Sequence, residues 1–206
     1  MDLDRKLQSI SREDQEKMEE KKYIEELFPR IKDIKDNDLR DKVISVWLKA
    51  WKMSDYKRIE DHSSWPPARE KIQLSNVEHT NQVVECAIAV ADVIERTQKI
   101  KINLDILIAA AILHDVDKII LFHESTGKLT PFGRLLTHTH LANFLALEEK
   151  LPFEIVHAMS AHSPTYSKDS PKTPEALIIS KLDSLMIFNW IMSKKVEISF
   201  TIDKDE

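Results

Sequence analysis

Apolar residues recur at spacings of three and four along most of the chain, the period of amphipathic helices. The pattern is loose over residues 1–28, where Leu3, Leu7, Ile10, Ile24, Leu27 and Phe28 stand among dense charge until Pro29 interrupts. It predicts a second helix over 38–58, with Val43, Val46, Trp47, Ala50 and Trp51 on one side. Paired prolines in "SSWPPARE" oppose helix there and mark a break. Beyond it, helical patterns run over 75–97, 104–122, 134–149, 152–162 and 174–193. The tail "VEISFTID" alternates apolar and polar, which predicts a short C-terminal strand. No segment repeats at a fixed period. The expectation is a mostly all-α protein, with an N-terminal helical extension over 1–65 and a helical domain over 66–206.

Composition supports this and narrows the chemistry. The 206 residues are enough for one domain with a substantial core. Only two glycines occur, Gly127 and Gly133, both in "HESTGKLTPFGR", which marks that segment as the loop needing unusual backbone freedom. A net charge of −5 and a pI near 5.9 argue against broad, nonspecific binding to nucleic acid or anionic membrane. The single cysteine, Cys86, allows no internal disulfide and suits a reducing compartment. The start "MDLDRKLQSI" lacks the apolar core of a signal peptide, and the longest unbroken apolar run, "ILIAAAIL", is too short to span a bilayer. The expectation is a cytoplasmic protein without a membrane partner.

Several predicted helices each place a His or Asp on an otherwise apolar face. His79 shares its face with Val83, Ala87 (or Cys86) and Val90, and His114 faces with Leu107, Ala110 and Leu121. Asp183 lies among Ala176, Ile179, Met186, Ile187 and Trp190, and an unpaired buried carboxylate there needs a cation or several donors. His162 sits with Ile155, Ala158 and Met159, while His157 points elsewhere. His138 and His140 point to nearly opposite faces if helical, so only one can enter a given site. Each residue alone fits a hydrogen-bonded core position. Their occurrence on consecutive helices points instead to a divalent metal, since imidazole nitrogen and carboxylate oxygen are its ligand types and no thiolate is on offer.

The order His79, then "HDVDK", "GRLLTHTH", "AHS" and "SKLD", resembles the HD domain superfamily of metal-dependent phosphohydrolases over about residues 70–190. "GKLTPFGRLLTHTHLA" and "LPFEIVHAMSAHS" further resemble the HD domain of certain bacterial 3′-5′ exoribonucleases. The resemblance implies an HD-domain helical bundle that binds one or two divalent ions (Mn, Fe, Co, Ni, Mg or Zn). It implies that His79, His114, Asp115 and Asp183 bind a first ion and that His138 and His162 bind a second, with Asp115 bridging. It implies a catalytic role for Asp115 and for Lys118, which would contact a substrate phosphate. Arg134, just past Gly133, is a candidate clasp for a second phosphate, beside the reading that it is a surface residue at a helix start.

The implied reaction is hydrolysis of a small phosphate ester, a nucleotide or related compound, by metal-activated hydroxide. Two alternatives stay open: an HD-type di-iron oxygenase, and a non-catalytic nucleotide-sensing or interaction module. The exoribonucleases carry an added nucleic-acid-binding barrel, whereas the first 60 residues here look helical and mixed in charge, which disfavours a nucleic-acid partner. A homo-oligomer stays open. Many family members have Gly where this chain has Asp117. That carboxylate is read foremost as a solvent-facing residue at a helix end, beside the readings that it helps place a metal or water, or repels phosphate.

Overall fold

The computed structural model describes residues 11–163 and 167–197. Helix α1 spans Arg12–Leu27, started by the Ser11 hydroxyl accepting from the Asp14 N–H. A single 3₁₀ turn at Pro29–Asp33 leads to α2, Asn37–Met53, capped by the Asp36 carboxylate. This helix stops short of the predicted residue 58, because Ser54 turns extended (ψ 170°). Helix α3, Asn76–Gln98, opens on a capping box: the Ser75 hydroxyl accepts from Glu78 N–H while the Glu78 carboxylate accepts from Ser75 N–H.

Helix α4, Leu104–Leu113, is apolar on every side, and Ile106 through Leu113 are all buried. Such a helix can only be a central rod. Helix α3, α8 (Phe153–Ala161) and α9 (Pro174–Lys194) pack around it, with α2 against another side. The predicted helix over 104–122 is therefore two pieces, α4 and the short α5 at Lys118–Leu121, separated by a turn at 114–117. The pattern over 134–149 likewise divides into α6, Pro131–Leu135, and α7, His140–Glu148. Between them Thr139 adopts a left-handed backbone, φ 83°.

One apolar core runs through the whole assembly. Ile24, Phe28, Ile31, Val43 and Trp47 belong to the same buried cluster as Val83, Leu107, Leu113, Ile155 and Ile179. Trp47 is fully buried, stacks on Phe28 at 4.7 Å, and donates its indole N–H to the carbonyl of Ile112 at 3.1 Å. That bond fixes α2 against the last turn of α4.

The two glycines answer different needs. Gly127 has φ +67°, and a Cβ there would meet the Pro66 carbonyl oxygen at 2.7 Å. Gly133 lets α6 approach the end of α5, where a Cβ would stand 2.3 Å from the Leu121 carbonyl oxygen. Helix α9 has the length and composition to cross a bilayer, which an unbroken-run criterion misses. Its Ala176, Ile179 and Leu182 nevertheless face the core. No strand beyond isolated bridges forms among the described residues; the predicted C-terminal strand lies largely outside them.

Candidate metal centre

After Leu113 the chain tightens: Val116 N–H bonds the Leu113 carbonyl and Lys118 N–H bonds the Asp115 carbonyl, each at 3.1 Å and each three residues back. The turn carries His114 and Asp115, which are 0% and 1% exposed. His79 arrives from α3 and Asp183 from α9, and one ligand atom from each of these four residues lies within 4.8 Å of the others. His79 Nε2 is 3.0 Å from Asp183 Oδ1, and His114 Nε2 is 3.4 Å from Asp115 Oδ2. Asp115, His138 and His162 form a second such group. His138 Nε2 stands 3.0 Å and His162 Nε2 3.5 Å from Asp115 Oδ1, and 3.1 Å from each other. Asp115 thus turns one oxygen to each group.

The tautomers explain why these groups need cations. His114 Nδ1 lies 2.7 Å from the Ala111 carbonyl and His162 Nδ1 2.6 Å from the Met159 carbonyl. A carbonyl only accepts, so each Nδ1 carries the proton and each neutral ring presents an Nε2 lone pair. Those lone pairs face carboxylate oxygens and one another. His114 Nε2 and Asp115 Oδ1 are buried without an acceptable hydrogen bond among the described residues. For His114, His138 and His162, lone pairs facing carboxylate oxygens across 3.0–3.7 Å repel unless a cation lies between them. Such spacings suit ligands about 2.1 Å from a shared ion. The donor set therefore fits divalent metals, as the cofactor expectation held.

Without ions, protons take the cations' place. Burial disfavours a charged His114, yet the Asp115 and Asp183 carboxylates raise its pKa to about 10. His138 is raised to about 9 against the same burial by Asp117 and Asp115. Burial opposes ionisation of Asp115 too, but Lys118 and His114 hold its carboxyl well below the usual range. Asp183 is lowered likewise against burial, by His114 and His79.

The neighbours of the cluster sort clearly. His140 is exposed and bonds Thr137 Oγ1, while His157 accepts from Lys172 N–H, so the structure brings His138 and His162 to the cluster and not these two. Lys118 Nζ donates to Asp115 Oδ2 at 2.6 Å and to the Ser64 carbonyl at 3.4 Å. Its ion pair is with Asp115. Arg134 stands exposed on α6 and makes none of the contacts that tie the cluster together.

Asp117 is the clearest departure from expectation. It is 0% exposed, not solvent-facing, and accepts from His138 Nδ1 at 2.7 Å, Thr139 N–H at 2.7 Å and Ala142 N–H at 3.3 Å. Asp117 does stand at a helix end, as the residue before α5, but that end points inward, against the turn before α7, so the solvent-facing reading fails. His62 was invisible in the sequence, standing in a polar loop beside the prolines. It is buried, neither ring nitrogen has a partner among the described residues, and burial with the nearby Lys118 charge lowers its pKa to about 3. Ser64, Asn76 and Thr80 also carry buried side-chain atoms without partners among the described residues.

The described residues thus form a helical bundle whose centre gathers four histidines and two aspartates, with Lys118 at its rim. The chain belongs to the HD domain family, whose profile matches residues 76–186. It is similar to the dihydroneopterin 2′,3′-cyclic phosphate phosphodiesterase of Methanocaldococcus jannaschii, with 29% identity over 168 residues, 78% of this chain and 67% of that protein. No solved structure matches the chain. The reaction is metal-dependent hydrolysis of a phosphoester.

Proposed function

We propose that His79, His114, Asp115 and Asp183 hold a first divalent cation and that Asp115, His138 and His162 hold a second, with a small cyclic phosphodiester of nucleotide type as the substrate. The observation that carries the two-cation reading is the orientation of Asp115, whose two oxygens each face their own pair of histidines. Support for the substrate class comes from the similar archaeal protein, named for a 2′,3′-cyclic phosphate. Hydrolysis of such a ring breaks one ester P–O bond, adds the elements of water and leaves a phosphomonoester.

When bound, the ions supply hydroxide near neutral pH and draw charge from the phosphoryl oxygens. The chain supplies the rest. His114, His138 and His162, whose Nδ1 hydrogens are each held by an acceptor, present their Nε2 atoms without rearranging. Lys118 lies at the rim of the Asp115 carboxylate with 12% of its side chain exposed, placed to put positive charge where a phosphoryl group gains negative charge. Asp183, with 15% of its side chain exposed, marks the side from which solvent and substrate reach the centre. Arg134 keeps the role of a candidate contact to a more distant phosphate. Helices α1 and α2 brace the metal-binding domain, since their apolar residues Ile24, Val43, Val46 and Trp47 join its core.

A panel of 2′,3′-cyclic phosphates, 3′,5′-cyclic phosphates and phosphomonoesters, assayed with Mn²⁺, Co²⁺, Ni²⁺ and Mg²⁺, tests the reading. The 2′,3′-cyclic compounds should be turned over fastest. Asp115→Ala should lose most bound metal. His138→Ala and His162→Ala should lower turnover by more than the roughly 10- to 100-fold typical of losing an outer partner of a metal ligand, and His140→Ala and His157→Ala only mildly. A folded Asp115→Ala protein with full metal content would refute the ligand set. An iron absorption band with oxygen consumption and no ester turnover would move the assignment to an oxygenase.

A further inference from the structure

The second group of ligands is the weaker by composition. It has one carboxylate and two imidazoles, where the first has two of each. It is also the one mounted on the less regular backbone. His138 lies outside helix, in the bend between α6 and α7, and the next residue, Thr139, has φ 83°. A non-glycine residue in that region is strained and persists only where surrounding contacts determine it. Threonine, branched at Cβ, is among the residues least suited to it.

Three of the hydrogen bonds that hold this bend converge on Asp117. One carboxylate oxygen takes the His138 Nδ1 hydrogen at 2.7 Å. The other takes the Thr139 N–H at 2.7 Å and the Ala142 N–H at 3.3 Å, so it also caps the first turn of α7. His114 and His162 give their Nδ1 protons to neutral backbone carbonyls. His138 alone of these three gives it to a carboxylate, and a carboxylate partner makes the opposite nitrogen more basic. The same group thus sets the His138 tautomer, enriches its Nε2 and clamps the strained peptide that carries it.

We propose that Asp117 is a positioning residue for the second cation, on which that ion's binding depends while the first ion's does not. The proposal rests on the ligand reading given above. Asp117 itself need not touch ion or substrate, because its oxygens are occupied by the three donors named.

Titration of metal-free protein with Mn²⁺ alone, followed by calorimetry and by electron paramagnetic resonance, tests this. Wild type should bind two ions per chain and show the spin-coupled signal of a close pair. Asp117→Ala should bind the first ion with unchanged affinity and the second roughly 10- to 100-fold more weakly, leaving an uncoupled signal at one equivalent. Asp117→Asn should fall between, because its amide oxygen still accepts from His138 Nδ1 while its NH₂ opposes the Thr139 N–H. It also serves if the alanine variant does not fold. A merely structural role would lower thermal stability yet leave the ratio of the two affinities unchanged in either folded variant, and that result overturns the proposal. Asp115→Ala and His162→Ala are measured alongside. If Asp115→Ala keeps both ions the ligand reading has failed. If Asp115→Ala and His162→Ala lose metal as expected while Asp117→Ala keeps two equally tight ions, only the role of Asp117 has failed.

Discussion

Lys118 shows how far a single residue could be read. Its distance from His114 along the chain predicts a place beside the cluster, and its ammonium lies 2.6 Å from Asp115 Oδ2. Its partner could not be known, because the turn at 114–117 rather than a continuous helix aims it at Asp115 Oδ2. This pairing sharpens the expected behaviour of Lys118→Ala. The ammonium competes with a cation for the same oxygen, so its loss should leave metal affinity unchanged or raised. Removal of a positioned charge from the transition state should lower ester turnover by roughly 30- to 1000-fold. Metal content, melting temperature and turnover measured on one sample separate this from a structural role, in which stability falls and turnover per folded molecule does not. Asp117 was misread for a related reason. Sequence shows that a residue ends a helix, not which way the end points, and the groups that bury Asp117 are 21 to 25 residues away.

At the scale of elements, periodicity located the helices and missed their interruptions. A run such as "AAAILHDVDKII" is apolar enough to read as one helix. The switch to bonds three residues back depends on what surrounds the turn, which no local pattern records. The short α6 depends on such surroundings too. It docks on the end of α5 because Gly133 has no side chain, and Thr130 ties the same place by donating its hydroxyl to the Ile120 carbonyl at 2.7 Å. Gly133→Ala should therefore cost about 1–3 kcal/mol or more, as overpacking against rigid backbone does. Chemical denaturation would show a lowered midpoint. A variant as stable as wild type would mean that α6 is free to move away from α5.

For the molecule as a whole, the buried charges couple stability to both pH and metal. Raised folded-state values of about 10 for His114 and about 9 for His138, against 6.5 when unfolded, mean that the cation-free fold binds protons more tightly than the unfolded chain. That stabilisation is fully present below about pH 6.5 and is lost as pH rises through 9 to 10. Cation binding requires the same rings unprotonated, so its contribution grows over the same range. Melting temperatures of stripped protein should fall from pH 6.5 towards 10, while the gain on adding Mn²⁺ should widen, with protons released on loading. A gain that shrinks with pH would contradict the proposed occupancy of these histidines.

The indole N–H of Trp47 on the Ile112 carbonyl also bears on what can be separated from what. The family profile begins at residue 76, yet the rod that presents His114 is held from behind by a helix that ends at Met53. Resemblance and autonomy have different borders here. A fragment trimmed to the recognisable part would keep every ligand and lose the wall behind them, exposing the side of α4 that α2 covers. The transferable unit, for grafting this centre into another protein or for comparing relatives, starts with α1, ahead of the residues that the family profile matches.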